Sequence, residues 1–202
     1  MKIYILRHED RTQDCSFFAP LTKKGLENSI NLINILEKEN INKIYCSPFI
    51  RTLQTIYPYS KQHKMKINIE YGLSELHHQD IISKKAVGIS LPEYLAKDFN
   101  YNPNYKTIIK SYEIVYPEKE NDIIKRVKQV LKQIIKENIN TQNNIVLVTH
   151  QAFCINTLKI VNDHSSKIKK TLDENTLTNY DKGNLCLIFD IDHLGWIYKP
   201  IN

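Results

Sequence analysis

The feature that most constrains this chain is its opening stretch, where a short apolar run ends abruptly in a cation and an imidazole. Residues 3–6 are aliphatic or aromatic and include two isoleucines, which is typical of a strand that is buried on both faces. Arg7 and His8 follow directly. Open α/β sheets bind their ligands at the carboxyl ends of the strands, so this pattern indicates a functional site where the first strand ends.

A second stretch far along the chain repeats the pattern. Residues 145–149 are almost wholly apolar, and His150 comes next. The carboxyl ends of parallel strands meet at one edge of a sheet, so we expect His8 and His150 to lie close together. The residues alone do not decide which of the two imidazoles would react.

Strand-like and helix-like segments alternate between these two stretches, which indicates βαβ units and a parallel sheet. We therefore predict an α/β fold. It is a three-layer sandwich with a mainly parallel central sheet, helices on both faces, and an irregular, partly helical cap insertion at residues 76–116. The length of 202 residues and the hydrophobic content of 42% favour one domain over residues 1–202.

The first predicted helix has a readable start. Thr22 stands where an N-cap is expected, and apolar residues then recur at helical spacing to about residue 40. The predicted buried stripe of this helix consists of Leu26, Ile30, Ile33 and Leu36.

A second helix start follows the second predicted strand. Ser47 is read as the N-cap and Pro48 as the first helical residue. Arg51 then lies in the opening turn, where the backbone N–H groups and the helix dipole favour anions. We expect this helix to end near Pro58.

Composition narrows the partners and the compartment. The net charge of +6 favours anionic partners, but the basic residues are spread along the chain, so nucleic acid is not the expected partner. Four cysteines without a C-x-x-C pair indicate neither a disulfide framework nor a zinc site. Because the chain shows no leader and no apolar run near the roughly 20 residues of a membrane span, we expect a cytoplasmic protein without a membrane partner.

The ionisable residues at the predicted strand ends suit one reaction. Arginine forks match the oxygens of a phosphate, and Arg7 and Arg51 supply two. An imidazole is a nucleophile near neutral pH, and a carboxyl group such as Glu75, after the third predicted strand, can protonate a leaving alkoxide. Fixed positive charge makes a metal or cofactor unnecessary. The alternatives to Glu75 as the acid are Glu9, Asp10 and Asp80.

These residues stand in motifs that resemble the histidine phosphatase superfamily, the phosphoglycerate mutase-like group, and within it the smaller branch. The motifs occur in the family's order and extend from residue 6 to residue 150. They are Leu6-Arg7-His8, Leu21-Thr22 with Gly25, Ser47-Pro48 with Arg51 and Gln54-Thr55, Gly72-Leu73-Ser74-Glu75, and Val148-Thr149-His150.

The resemblance implies a metal-independent phosphatase that hydrolyses phosphate monoesters through a phosphohistidine. His8 would be the nucleophile. Arg7, Arg51 and His150 would bind the phosphate and stabilise the charge of the transition state. Glu75 would protonate the leaving group and later activate water. The expected substrate is a small phosphorylated molecule or a phosphoprotein.

The chain departs from the family pattern at two places. Glu9 stands where a glycine usually follows Arg-His, and Gln151 begins the pair that is often two glycines. Two alternatives therefore stay open: a phosphoglycerate mutase-type phosphomutase, and a catalytically impaired module that binds phosphate or a phosphoprotein. Arg126 is interpreted as a structural residue.

Overall fold

A computed structural model gives the fold of the chain. It describes residues 1–14, 16–84, 88, 90–141, 143–164, 186–190 and 195–198. The strands are β1 (Lys2–Arg7), β2 (Ile41–Cys46), β3 (Ile67–Ile69), β4 (Asn144–Thr149), β5 (Cys186–Asp190) and β6 (Gly195–Tyr198). The helices are α1 (Lys23–Glu37), α2 (Ile50–Gln62), α3 (Glu93–Lys97), α4 (Glu120–Asn138) and α5 (Gln151–His164).

The strands form one sheet in the order β3-β2-β4-β1-β5-β6. The pairs β3–β2, β2–β4 and β4–β1 are parallel, and β5 and β6 continue the sheet in antiparallel pairing. Helices cover both faces of the sheet. Alternate residues of a strand point to opposite faces, so Ile3 and Ile5 pack with residues of α4 and α5, whereas Tyr4 and Leu6 pack with residues of α1 and α2. The predicted α/β fold with a mainly parallel sheet is confirmed.

Helix α1 begins where the sequence predicts, but its buried face is rotated. The Thr22 hydroxyl caps the helix by accepting a hydrogen bond from the Gly25 N–H at 3.1 Å. The predicted stripe is wrong for two of its residues, because Leu26 and Ile30 are exposed. The buried residues of α1 are Gly25, Ser29, Leu32 and Leu36. Gly25 faces inward because the helix passes directly over the Asp10 carbonyl, and a Cβ at position 25 would lie 2.0 Å from that oxygen.

Helix α2 differs from the prediction at both ends. Phe49, rather than Ser47, is the N-cap, and no side chain caps the first turn. Ser47 is not free to cap because its hydroxyl is bonded to His150. The helix also continues through Pro58 to Gln62. Its residues on either side of the proline pack into the core, which offsets the hydrogen bond that proline removes.

The predicted cap at residues 76–116 is irregular and partly helical in its described part, where α3 and a single turn at Ser111–Glu113 are the helical pieces. A buried carboxylate anchors it. Glu70, at the end of β3, accepts hydrogen bonds from the Ile108 N–H at 2.6 Å, the Ile109 N–H at 3.1 Å and the Tyr105 hydroxyl at 2.8 Å. The carboxylate thereby ties the cap to the edge where the parallel strands end.

The close approach at Gly25 makes a testable prediction. Alanine is the better helix former by about 1 kcal/mol, so Gly25→Ala should stabilise α1 if nothing opposes it. The clash with the Asp10 carbonyl should instead lower the free energy of unfolding by about 1–3 kcal/mol, measured by thermal or urea unfolding. Asn31→Ala, at an exposed position of the same helix, is the control and should not destabilise. A higher melting temperature for Gly25→Ala would contradict this packing.

Candidate active site

The register of β1 and β4 brings two histidines together where these strands end. Arg7 lies opposite Thr149 in the parallel pair, and the His8 N–H donates to the Thr149 carbonyl at 2.9 Å. The ring centroids of His8 and His150 are 5.2 Å apart, with their planes inclined by 66°. The two imidazoles thus face one small volume at the edge of the sheet.

His8 is held with one ring nitrogen available. Its Nδ1 is 2.7 Å from the Glu9 carbonyl, so this nitrogen carries the proton and Nε2 keeps its lone pair. The ring is buried. Burial and the positive charge of Arg51 lower the pKa of His8 well below its usual value, against the effect of the hydrogen bond to Glu9, and Arg7 lowers it further. His8 is therefore neutral at pH 7 and suited to act as a nucleophile.

His150 is held by the other ring nitrogen, Nε2, which leaves Nδ1 available. Its Nε2 is hydrogen-bonded to the Ser47 hydroxyl at 2.8 Å, and its ring packs edge-on against Phe49, with centroids 4.7 Å apart. Burial, followed by the charge of Arg51 and by His8, lowers the pKa of His150 well below its usual value. The buried Nδ1 has no hydrogen-bond partner among the described residues, and it faces Glu75 at 3.8 Å from Oε2.

Arg51 lies in the first turn of α2 and is almost completely buried, with 1% of its surface exposed. Its guanidinium stacks on the Phe49 ring at 4.5 Å and donates to the Ser16 carbonyl at 2.9 Å. The Nε of Arg7 is also buried and has no hydrogen-bond partner in the described part of the chain. Both charges act on the two imidazoles. A buried guanidinium N–H requires a hydrogen-bond acceptor, and an oxygen of a tetrahedral anion would supply one to Arg7 Nε.

Glu75 is the carboxylate that joins this group. It is only 9% exposed, and its Oε1 accepts a hydrogen bond from the Leu76 N–H, which leaves Oε2 directed towards His150. The three alternative acids are engaged elsewhere. Glu9 accepts from Asn28, Asp10 accepts from the Thr22 hydroxyl, and the exposed Asp80 pairs with His78.

Glu9, which replaces the glycine usual in the family, connects His8 to two helices. Its carbonyl accepts from His8, its N–H donates to the Thr55 hydroxyl at 3.0 Å, and its carboxylate accepts from the Asn28 amide at 2.9 Å. The side chain is buried. Burial raises the pKa of Glu9 to about 7, in opposition to the Asn28 hydrogen bond and with a small addition from Asp10.

The same donor set fits a metal ion poorly. One ligand atom each from His8, Glu75 and His150 lie within 4.8 Å of one another. Donors around a tetrahedral zinc ion are about 3.4 Å apart, and the His150–Glu75 pair is already wider at 3.8 Å. Two guanidinium charges beside these donors oppose a cation and favour an anion. The arrangement therefore fits a tetrahedral oxyanion better than a metal ion.

Two residues of this neighbourhood, Ser47 and Glu118, are not recognised from the sequence. Ser47 reads as a helix cap but orients His150. Glu118 binds Arg126, which the sequence analysis interprets as a structural residue, and Arg126 in turn binds the loop that carries Glu75. No local pattern signals these roles, because the partners are distant in sequence.

The comparisons with known proteins agree with this geometry. A family model for the histidine phosphatase superfamily (branch 1) matches residues 6–172, and the chain belongs to this superfamily. It is 30% identical over 144 residues to the ubiquitin-associated and SH3 domain-containing protein B of Homo sapiens, a match that covers 65% of this chain and 21% of that protein. The chain thus spans about a fifth of the length of the curated relatives it matches.

Solved structures share the fold. The ecdysone phosphate phosphatase of Bombix mori, in complex with tungstate, has a TM-score of 0.72 at 13% identity, over 98% of this chain and 92% of that one. A phosphoglycerate mutase from Bacillus anthracis str. Sterne has a TM-score of 0.63 at 19% identity, over 100% of this chain and 92% of that one.

None of the helices in the described residues is long and apolar enough to cross a bilayer.

The environment of Glu9 predicts how stability depends on pH. Because its pKa is higher in the folded chain than its ordinary value of 4.5, the folded state binds more protons between these two values, and stability falls as the pH rises through them. Relative to Glu9→Gln, the wild type should lose about 3 kcal/mol of unfolding free energy between about pH 4 and pH 8. Urea unfolding at several pH values measures the difference.

The matched control for Glu9→Gln is Glu27→Gln, an exposed glutamate on the same helix as Asn28. Its stability should follow the wild type across the whole pH range. If the unfolding free energies of the wild type and the Glu9→Gln variant change in parallel from pH 4 to pH 8, burial does not raise the pKa of the carboxyl group at position 9.

Proposed function

We propose that the chain is a metal-independent phosphatase that hydrolyses phosphate monoesters through a phosphohistidine on His8. One observation carries this proposal. Two neutral imidazoles, each with one nitrogen committed to the protein and one facing the same volume, lie beside two guanidinium groups and one carboxyl group. This combination provides binding, attack and proton transfer at a single phosphorus atom.

Binding would place the phosphate between the arginines and His150. The guanidinium groups of Arg7 and Arg51 would bind the non-bridging oxygens, since their donors match that geometry. The Nδ1 of His150 would donate to a third oxygen once it carries a proton, and the negative charge of the phosphate favours that protonation. The positive charge fixed around the anion performs the part that a metal ion plays in other phosphatases.

The reaction would proceed in two displacements. The lone pair of His8 Nε2 forms a bond to phosphorus while the bond from phosphorus to the ester oxygen breaks, and Glu75 gives its proton to that oxygen, so a neutral alcohol leaves. Glu75, now a carboxylate, takes a proton from water. The water oxygen then bonds to phosphorus as the bond to Nε2 breaks, which restores His8 and releases inorganic phosphate.

The position of the cap supports a proposal for the class of substrate. A small phosphorylated molecule or a phosphoprotein is proposed, since the cap at residues 76–116 lies beside the loop of Glu75 and would face the leaving group. The cytoplasmic location and the absence of a membrane partner stay predictions from the sequence.

The nucleophile gives the direct test of this function. We expect the wild type to hydrolyse p-nitrophenyl phosphate without added metal, and His8→Ala to abolish this activity because the covalent intermediate cannot form. Arg51→Ala should lower kcat/KM by about 100-fold or more, the usual loss when one charge-stabilising donor is removed. Release of p-nitrophenol measures both rates.

The matched control is His63→Ala, which removes a histidine that pairs with Glu37 at the end of α2, and it should retain the wild-type rate. Full activity in His8→Ala would refute the covalent mechanism.

An assay with a phosphoglycerate distinguishes the alternative functions. Release of free phosphate indicates the phosphatase, and formation of an isomerised product indicates the mutase. Tight phosphate binding without turnover would indicate a binding module.

A further inference from the structure

Arg126 makes an unusually complete set of hydrogen bonds for a residue outside the catalytic group. It lies in the second turn of α4 and is 4% exposed. Its Nε and one terminal nitrogen bind the two carboxylate oxygens of Glu118, each at 2.7 Å. Its terminal nitrogens also donate to the carbonyls of Gly72 at 2.9 Å, Ser74 at 2.8 Å and Glu75 at 3.3 Å. All five N–H groups of the guanidinium are therefore used.

These bonds converge on the short loop that carries Glu75. Glu118 completes the hold, because its Oε2 accepts the His77 N–H at 2.8 Å and its own N–H donates to the His77 carbonyl at 2.8 Å. From the strand side, the Thr149 hydroxyl donates to the Leu73 carbonyl at 2.7 Å. The backbone of residues 72–77 is thus bonded on both sides of Glu75, by Arg126 of α4, by Glu118 just before that helix, and by Thr149 at the end of β4.

The placement of Glu75 depends on this hold. Its carboxylate lies 3.8 Å from His150 Nδ1. Among the described residues, the hydrogen bond to this side chain comes from the neighbouring Leu76 N–H, which donates to Oε1, and not from another helix or strand. The side chain is therefore placed mainly by its backbone. A shift of about 1 Å in that backbone is enough to impair a proton transfer that requires hydrogen-bond distance.

We propose that Arg126, fixed by Glu118, is a positioning residue for the proton donor Glu75, so that protonation of the leaving group depends on the Arg126–Glu118 pair. The inference rests on the proposed phosphatase function and adds to it a residue that touches no reacting atom. It requires the planar fork of arginine, because a lysine ammonium has three donors and cannot bind Glu118 in two places while also reaching the loop carbonyls.

The test compares two substrates that differ in their need for an acid. p-Nitrophenolate leaves readily without a proton, whereas the alkoxide of glycerol 2-phosphate requires one. Loss of proton donation should therefore lower kcat/KM on the alkyl ester more than on the aryl ester, by about tenfold or more. The ratio of the two kcat/KM values does not depend on the fraction of folded enzyme, so it separates mispositioning from simple destabilisation.

Glu75→Gln provides the reference for a lost acid, and Arg126→Lys should reproduce its selective loss on glycerol 2-phosphate. Lys125→Ala, at the exposed neighbour of Arg126 on α4, should keep the wild-type ratio. An equal loss of both activities in Arg126→Lys would overturn the inference and indicate a structural role alone. If Arg126→Lys does not fold, Glu118→Gln keeps the arginine, removes the charge of its partner and is expected to show the same selective loss, with an equal loss again overturning the inference.

The outcome also separates this inference from the proposed function. If wild type and His8→Ala have the same rate on p-nitrophenyl phosphate, the phosphatase proposal fails and the inference fails with it. If His8→Ala is inactive and Glu75→Gln shows the selective loss while Arg126→Lys keeps the wild-type ratio, the function stands and only the role of Arg126 is refuted.

Discussion

The candidate site depends on the register of three adjacent parallel strands. Where β1 ends, the His8 N–H bonds the Thr149 carbonyl, and where β2 ends, the Ser47 N–H bonds the Val148 carbonyl, both at 2.9 Å. These two bonds fix the strand ends on either side of β4, so that His8 and Ser47 flank His150. A slip of one residue in either pair would turn these side chains to the other face of the sheet. The backbone hydrogen bonds between the strands therefore place His8 beside His150 independently of side-chain contacts.

Burial, followed by nearby positive charge, then determines the protonation state of those imidazoles. Both rings are buried, which lowers the pKa of His8 and of His150, and the charge of Arg51, enclosed between Phe49 and the Ser16 carbonyl, lowers both pKa values further. Both rings are consequently neutral, which gives His8 a free lone pair. A bound phosphate dianion would offset the positive charges of Arg7 and Arg51 in this environment.

Much of this arrangement could be predicted from local sequence, because strand ends and helix starts have local signals. The apolar run before His8, its counterpart before His150 and the place of Arg51 in an opening turn are examples. What failed depended on distant contacts. The Asp10 carbonyl above Gly25 helps determine which face of α1 is buried. Ser47 does not cap α2, because its hydroxyl is hydrogen-bonded to His150. Arg126 acts on carbonyls more than fifty residues away. The single domain over residues 1–202 stays a prediction.

In the proposed mechanism, residues from four separate segments surround one tetrahedral anion. A crystal structure of the protein with vanadate or tungstate bound tests this arrangement. We expect the metal atom of the oxyanion at bonding distance from His8 Nε2, with its oxygens bound by Arg7, Arg51 and His150 Nδ1 and with Glu75 on the side opposite His8. An oxyanion bound elsewhere on the protein, or one at this edge of the sheet that contacts neither imidazole, would contradict it.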